Sequence, residues 1–237
     1  MAEYSTFERD PWQRLLRTAD YVNLLVYGGS EAIAAGRRVR ELHKRFRGRR
    51  EDGAAYSALE PRAYAWVHAT LLDTYVRAHA NLGTPMSADE IDRFYGEYRG
   101  LGRLIGVREG DLPADWQRFC AYFRRTARYQ LTRTASVDRV LSMVSNAMTP
   151  PLPMPAPLWR AVALPARRAV WLGGVGLMDP WLRRRLAIGW SAIDEAEFRV
   201  LGAVSRSLTP VLPASFKVTG PEHLRARRDA IAHGPLG

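Results

Sequence analysis

Apolar positions recur at three- and four-residue spacing along most of the chain, the period of helices that bury one face, and proline, glycine and capping residues cut this pattern into segments. Asp10-Pro11 opens the first segment, with Asp10 at the N-cap and Pro11 in the first turn, and Gly28-Gly29 stops it, predicting a helix of about seventeen residues. Along it Arg14, Thr18, Tyr21 and Leu25 fall on one stripe, so a guanidinium and a hydroxyl are expected on a core-facing surface. Ser30-Glu31 opens a second helix running to about Phe46 and stopped by Gly48, with Ile33, Val39, Leu42 and Phe46 as its apolar positions and His43 beside them. Glu51-Asp52-Gly53 reads as a turn. Glu60-Pro61 starts a third helix over about 61–80, whose face carries Tyr64, His68, Leu71, Leu72, Tyr75 and His79; His68 is therefore expected to be buried.

Ser87-Ala88-Asp89-Glu90 has the form of a capping box, opening a helix that carries Ile91, Phe94, Tyr95, Tyr98 and Leu101 and ends near Gly106. Leu112-Pro113 and Asp115 begin another, with Trp116, Phe119, Cys120 and Phe123 on its apolar face, and two shorter helical stretches follow around 136–148. The run Thr149-Pro150-Pro151-Leu152-Pro153-Met154-Pro155-Ala156-Pro157 forbids helix and strand alike and reads as a semi-rigid connector. Beyond it three helical stretches are expected near 158–172, 180–189 and 191–207, separated by Gly173-Gly174 and Asp179-Pro180, with Trp159, Trp171, Trp181 and Trp190 too large to leave exposed. No run alternates convincingly and no hairpin dipeptide joins two β-rich runs, so no strand is predicted. The expected fold is all-α, a single globular domain over residues 1–237. Its core is placed at about 5–148, its connector at 149–157, and its C-terminal helices, about 158–220, pack back on the core ahead of a fraying tail from Pro221.

A chain of 237 residues with 47% hydrophobic content buries a full core. No run of eighteen apolar residues occurs and the first residues lack the basic-then-apolar order of a signal peptide, which makes the cytoplasm the expected address. One cysteine, Cys120, excludes an intrachain disulfide and any multi-thiolate metal site, and its place between Phe119 and Tyr122 reads as packing rather than nucleophile. The net charge of +11 is carried almost wholly by arginine and is spread along an alanine-rich chain, the look of a compositional bias; no nucleic-acid partner is expected from it. Two clusters stand out: Arg37-Arg38-Val39-Arg40 with Lys44-Arg45-Phe46-Arg47-Gly48-Arg49-Arg50, and Arg183-Arg184-Arg185. Each is either a solvated helix face or a docking surface for an anionic membrane or protein partner.

On chemistry alone, Arg14 reads as a member of a buried ion pair ahead of a ligand contact, and His43 as a hydrogen-bonded packing residue ahead of a metal ligand. His68 and His79 lie roughly 16 Å apart along their helix, too far for joint coordination. No histidine pair at i, i+4 exists, which removes the zinc-hydrolase pattern.

The motifs taken in order change this balance. Asp-Pro-x-x-Arg-Leu-x-Arg-Thr (10–18), Val-Arg-x-x-His (39–43), Gly-x-x-Tyr-Ser-Ala-x-Glu-Pro (53–61), Trp-Val-His-Ala-Thr-Leu (66–71), Tyr-x-Glu (95–97), Leu-x-Gly-Val (104–107) and Leu-Pro (112–113) together resemble the MpaB-type oxygenases, the family that includes the rubber oxygenases. The likeness is close over about residues 5–128 and looser beyond. It implies an all-α domain of the MpaB/rubber-oxygenase type around haem b, one histidine on the iron and a distal set acting on dioxygen, with an apolar or lipid-like substrate. By position His43 is the implied iron ligand, with His68 the second choice, and Arg14, Arg17 and Thr18 the implied distal, catalytic set. Arg14 is also the implied cofactor contact, since a haem propionate supplies the anion a buried arginine wants. Arg17 stands where rubber oxygenases use lysine, and an arginine does not give up its proton to ligate iron. Relatives carry a further helix ahead of the Asp-Pro helix, with a motif like Gln-Leu-Ala-His-Pro, whereas this sequence starts nine residues before Asp10, so the resemblance leaves open whether the pocket has that wall. The rival expectations are a cofactor-free helical module that binds an anionic membrane or protein partner through its arginine clusters, and a family member that keeps the fold without the chemistry.

Overall fold

The computed structural model describes residues 11–49, 53–146, 156–212, 220–221 and 223–225, with side chains described except at 11–16, 143–146, 156 and 158–162. Its order is α1 (Pro11–Tyr27), α2 (Glu31–Lys44), β1 (Arg47–Arg49), β2 (Ala55–Ser57), α3 (Pro61–Leu82), α4 (Ala88–Ile105), a 3-10 turn (Glu109–Asp111), α5 (Trp116–Gln130), α6 (Ala135–Asn146), α7 (Ala156–Gly176), α8 (Pro180–Arg185) and α9 (Ala192–Leu208). The fold class is all-α.

The starts of these helices follow from their caps. Glu60 accepts from the backbone N–H of Ala63 at 2.7 Å and of Arg62 at 3.3 Å, which starts α3 behind Pro61. The Ser87 box closes as expected: the Ser87 N–H donates to Glu90 at 2.7 Å, and the Glu90 N–H to Ser87 Oγ at 3.3 Å. A second box, Ser191 with Asp194, opens α9.

Several expectations change. Two three-residue strands pair antiparallel, Arg47 opposite Ser57 and Arg49 opposite Ala55, where no strand was predicted. Gly48 is thus a strand residue, and α2 ends at Lys44. A single helix, α6, occupies the described part of 136–148, and α7 runs through Gly173-Gly174 to Gly176 instead of stopping there. The expected N-cap Asp10, most of the connector, Trp159 and most of the tail lie outside the described residues or side chains.

The chain forms two compact units whose boundaries fall inside α3 and α4 and do not follow the proline-rich connector. The first comprises residues up to Thr70, Asp92–Asp115 and the stretch from Val211. There α1 packs on α2, and α2 packs on α4 so closely that a Cβ at Gly36 would strike the Leu104 carbonyl oxygen. Its core holds Ala32, Ala35, Ala65, Ala69, Tyr95, Tyr98, Val107 and Leu112. The second comprises Leu71–Ile91 and Trp116–Pro210. In it α7 packs on α6 and α9, and the core includes Leu72, Phe119, Phe123, Leu172, Leu182 and Phe198. Arg77 pairs with Asp73 at 2.7 Å and with Asp179 at 3.4 Å, and Arg206 donates to the Asn81 carbonyl at 2.6 Å, tying residues 71–91 to the C-terminal helices.

Candidate functional site

The two histidines named by the sequence stand on different helices, His43 on α2 and His68 on α3. His43, in the last turn of α2, is half-buried with its ring edge-on to Tyr64 at 5.5 Å and to Phe46 at 5.8 Å. Its Nδ1 lies 2.7 Å from the Val39 carbonyl oxygen one turn back. A carbonyl only accepts, so Nδ1 carries the proton in this bond and a neutral ring presents its lone pair on Nε2. Tyr64 is fixed in turn: its hydroxyl donates to the Ile105 carbonyl at 2.9 Å, and burial pushes its pKa up while Arg40 pulls it down.

His68, one turn further along α3, is used differently. It is 4% exposed, its ring stacks on Tyr98 at 4.2 Å, and its Nε2 lies 3.1 Å from the Tyr98 carbonyl. Here the proton sits on Nε2. The ring fits only because residue 102 is glycine: a Cβ there would stand 2.8 Å from Nε2. Burial holds the His68 pKa below its ordinary value, against the raising effect of the Tyr98 carbonyl.

Among the described side chains of α1 the predicted stripe is not the buried face: Asn23 is buried, and its side chain accepts from the Gly220 N–H at 2.7 Å while Asp20 meets His223 at 2.9 Å. Arg17 and Thr18 are exposed, Tyr21 is largely so, and the Arg14 side chain lies outside those described. On α3 the face is likewise rotated: Ala65, His68, Ala69 and Leu72 are buried, whereas Leu71 is 40% exposed and His79 is exposed. Arg183, taken with Arg184 and Arg185 as one surface cluster, is buried. Burial pushes the half-buried Cys120 thiol up, which removes the thiolate a nucleophile needs.

Among the described residues no three of His, Cys, Asp and Glu converge on a common point, so they offer a metal one imidazole and no cage. Of this donor set, an imidazole whose Nδ1–H is held by a main-chain carbonyl fits haem iron, to which Nε2 would be the atom offered. A shallow surface cleft lined by Arg99, Arg103, Val107, Arg108, Glu109 and Leu112 is far smaller than an ordinary ligand site and is lined by neither histidine. Sequence reasoning missed Tyr64 and the Val39 carbonyl as partners of His43. The signal was present, since Val39 stands four residues before His43 and a helical histidine reaches back one turn.

The model of the family described as ER-bound oxygenase mpaB/B'/Rubber oxygenase, catalytic domain, matches residues 1–207, and the chain belongs to that family. Among curated proteins it is similar to an uncharacterized protein of Mycobacterium tuberculosis and to one of Mycobacterium bovis. Each is 27% identical over 207 residues, covering 86% of this chain and 77% of the relative. No solved structure matches.

Proposed function

We propose that this chain is a haem b-dependent oxygenase that uses dioxygen on an apolar or lipid-like substrate, with His43 as the iron ligand. The observation that carries the assignment is the 2.7 Å contact of His43 Nδ1 with the Val39 carbonyl, which fixes the ring and leaves Nε2 for a metal. His68 is the weaker candidate, because its Nε2–H is already given to Tyr98 inside a packed core. When bound, haem supplies the redox-active iron for dioxygen chemistry. The chain's own groups would hold and surround it. Arg14 would pair with a propionate. Arg17, whose guanidinium has donors and no acceptor, would donate hydrogen bonds on the distal side without ligating, and the Thr18 hydroxyl would add one more.

No described helix is long and apolar enough to cross a membrane; the reading adds that the protein is cytoplasmic and meets its substrate at a membrane surface. The test is the visible spectrum of protein produced with haem supply. A strong Soret band, lost in His43→Ala and kept in His68→Ala, is expected. No band after reconstitution would overturn the oxygenase reading and favour a cofactor-free module. A band that survives in His43→Ala and disappears in a folded His68→Ala would move the ligand to His68.

A further inference from the structure

Within the overall positive charge one segment is far denser than the rest. Between Arg37 and Arg49 stand seven basic residues, Arg37, Arg38, Arg40, Lys44, Arg45, Arg47 and Arg49, against the single carboxylate Glu41, so thirteen residues carry more than half of the net +11. All seven are exposed. Helical geometry explains why: Ala32, Ala35 and Gly36 take the buried face of α2, with Val39 and His43 half-buried on the same side, which turns the basic positions outward. The ribbon continues the surface, because Arg47 and Arg49 alternate to one side of β1 while Gly48 and Tyr56 face the other. Lys44 is paired with Glu41, Arg40 donates to the Gly106 carbonyl and Arg49 to the Gly53 carbonyl, but Arg37, Arg38, Arg45 and Arg47 make no ion pair with any described residue.

Charge alone does not choose between polyanions. Two aliphatic side chains flank the basic face of α2, Ile33 at 50% and Leu42 at 43% exposed, and no aromatic ring on α2 or β1 is exposed for a base to stack on. A cationic helix face edged with aliphatic side chains matches an anionic bilayer surface, with guanidinium groups at the phosphates and the aliphatic groups at the acyl boundary.

We infer that α2 and the β1–β2 ribbon form a docking surface for anionic phospholipid bilayers. This deepens the proposed function: the helix that docks is the helix that carries His43, so the site is brought to the phase in which an apolar substrate dissolves. Binding needs no haem and is read separately from it.

The experiment is flotation of the full chain with vesicles of phosphatidylcholine alone and of phosphatidylcholine with about a third phosphatidylglycerol, across a salt series. Binding only to the anionic vesicles is expected. Arg37→Gln, Arg38→Gln, Arg45→Gln and Arg47→Gln together should weaken it by more than about thirtyfold, given the contribution of each cation near such a surface. An equal loss of charge on α5, Arg118→Gln, Arg124→Gln, Arg125→Gln and Arg128→Gln, should cost less than about fivefold. Ile33→Ser with Leu42→Ser should cost about three- to tenfold even where salt has weakened the electrostatic part. Equal effects of the two arginine sets would overturn the proposal. So would tighter binding of a duplex DNA than of anionic vesicles, or vesicle binding indifferent to Ile33→Ser and Leu42→Ser. A variant that loses vesicles but keeps the Soret band separates this surface from the haem reading.

Discussion

His68 is an ionisable group that the fold keeps neutral. Its ring is sealed against Tyr98 and Gly102, and burial sets its pKa below the ordinary 6.5. Between that depressed folded value and 6.5 the unfolded chain binds a proton that the folded chain does not. The stability His68 contributes is therefore complete above about pH 6.5 and is lost as pH falls through that window. His68→Gln keeps a donor for the Tyr98 carbonyl and removes the titration. Urea midpoints at about pH 7.5 and about pH 5 should show the natural chain losing more stability on acidification than the variant, since other groups titrate equally in both. Equal losses would mean that His68 is solvated in the folded state. His43 differs: its Nδ1–H is held by the Val39 carbonyl one turn back at a half-buried position, a contrast between the two rings that the motifs alone do not carry.

At the level of elements, caps decide where helices begin, and the two serines that read as caps behave differently. Ser87 and Glu90 exchange bonds around the first turn of α4, satisfying two otherwise orphaned backbone donors. Ser30 has helical backbone angles, φ −62° and ψ −26°, and makes no capping bond. Ser87→Ala should cost about 1 kcal/mol of unfolding free energy and Ser30→Ala less than about 0.5 kcal/mol, read from denaturant midpoints at constant m-value. Comparable costs would contradict the difference in cap geometry. The same logic explains which elements could be read in advance. α1, α3 and α4 are bounded by Pro11, Pro61 and the Ser87 box, local signals that need no partner. The ribbon is two strands of three residues, Arg-Gly-Arg and Ala-Tyr-Ser, too short for alternation to register. The buried face of α1 was misassigned because Asn23, a polar residue, is buried through a bond to Gly220, 197 positions away. Nothing in the α1 sequence announces that partner.

For the whole molecule, the question is which arginines serve partners and which serve the fold, because a sequence shows both as the same letter. The cluster at 183–185 divides on this point. Arg184 and Arg185 are exposed, whereas Arg183 is 6% exposed with its guanidinium 4.3 Å from the Trp190 ring, donating at 3.4 Å to the Val175 carbonyl and standing 3.9 Å from Glu195. An arginine stacked on an aromatic face and serving main-chain carbonyls binds parts of its own chain together. Arg183→Met retains much of the volume but loses the stacking on Trp190 and the charged donor to the Val175 and Gly176 carbonyls, a loss of roughly 2–4 kcal/mol. In a chain of this length that corresponds to a fall in Tm of several degrees or more. Arg184→Gln with Arg185→Gln should shift Tm by less than about 2 °C, since exposed substitutions seldom exceed about 0.5 kcal/mol. Calorimetry of the three forms decides it. If the double variant melts as early as Arg183→Met, the three arginines support the fold alike; if only Arg183→Met falls, Arg183 belongs to the interior and only Arg184 and Arg185 of this cluster remain as surface charge.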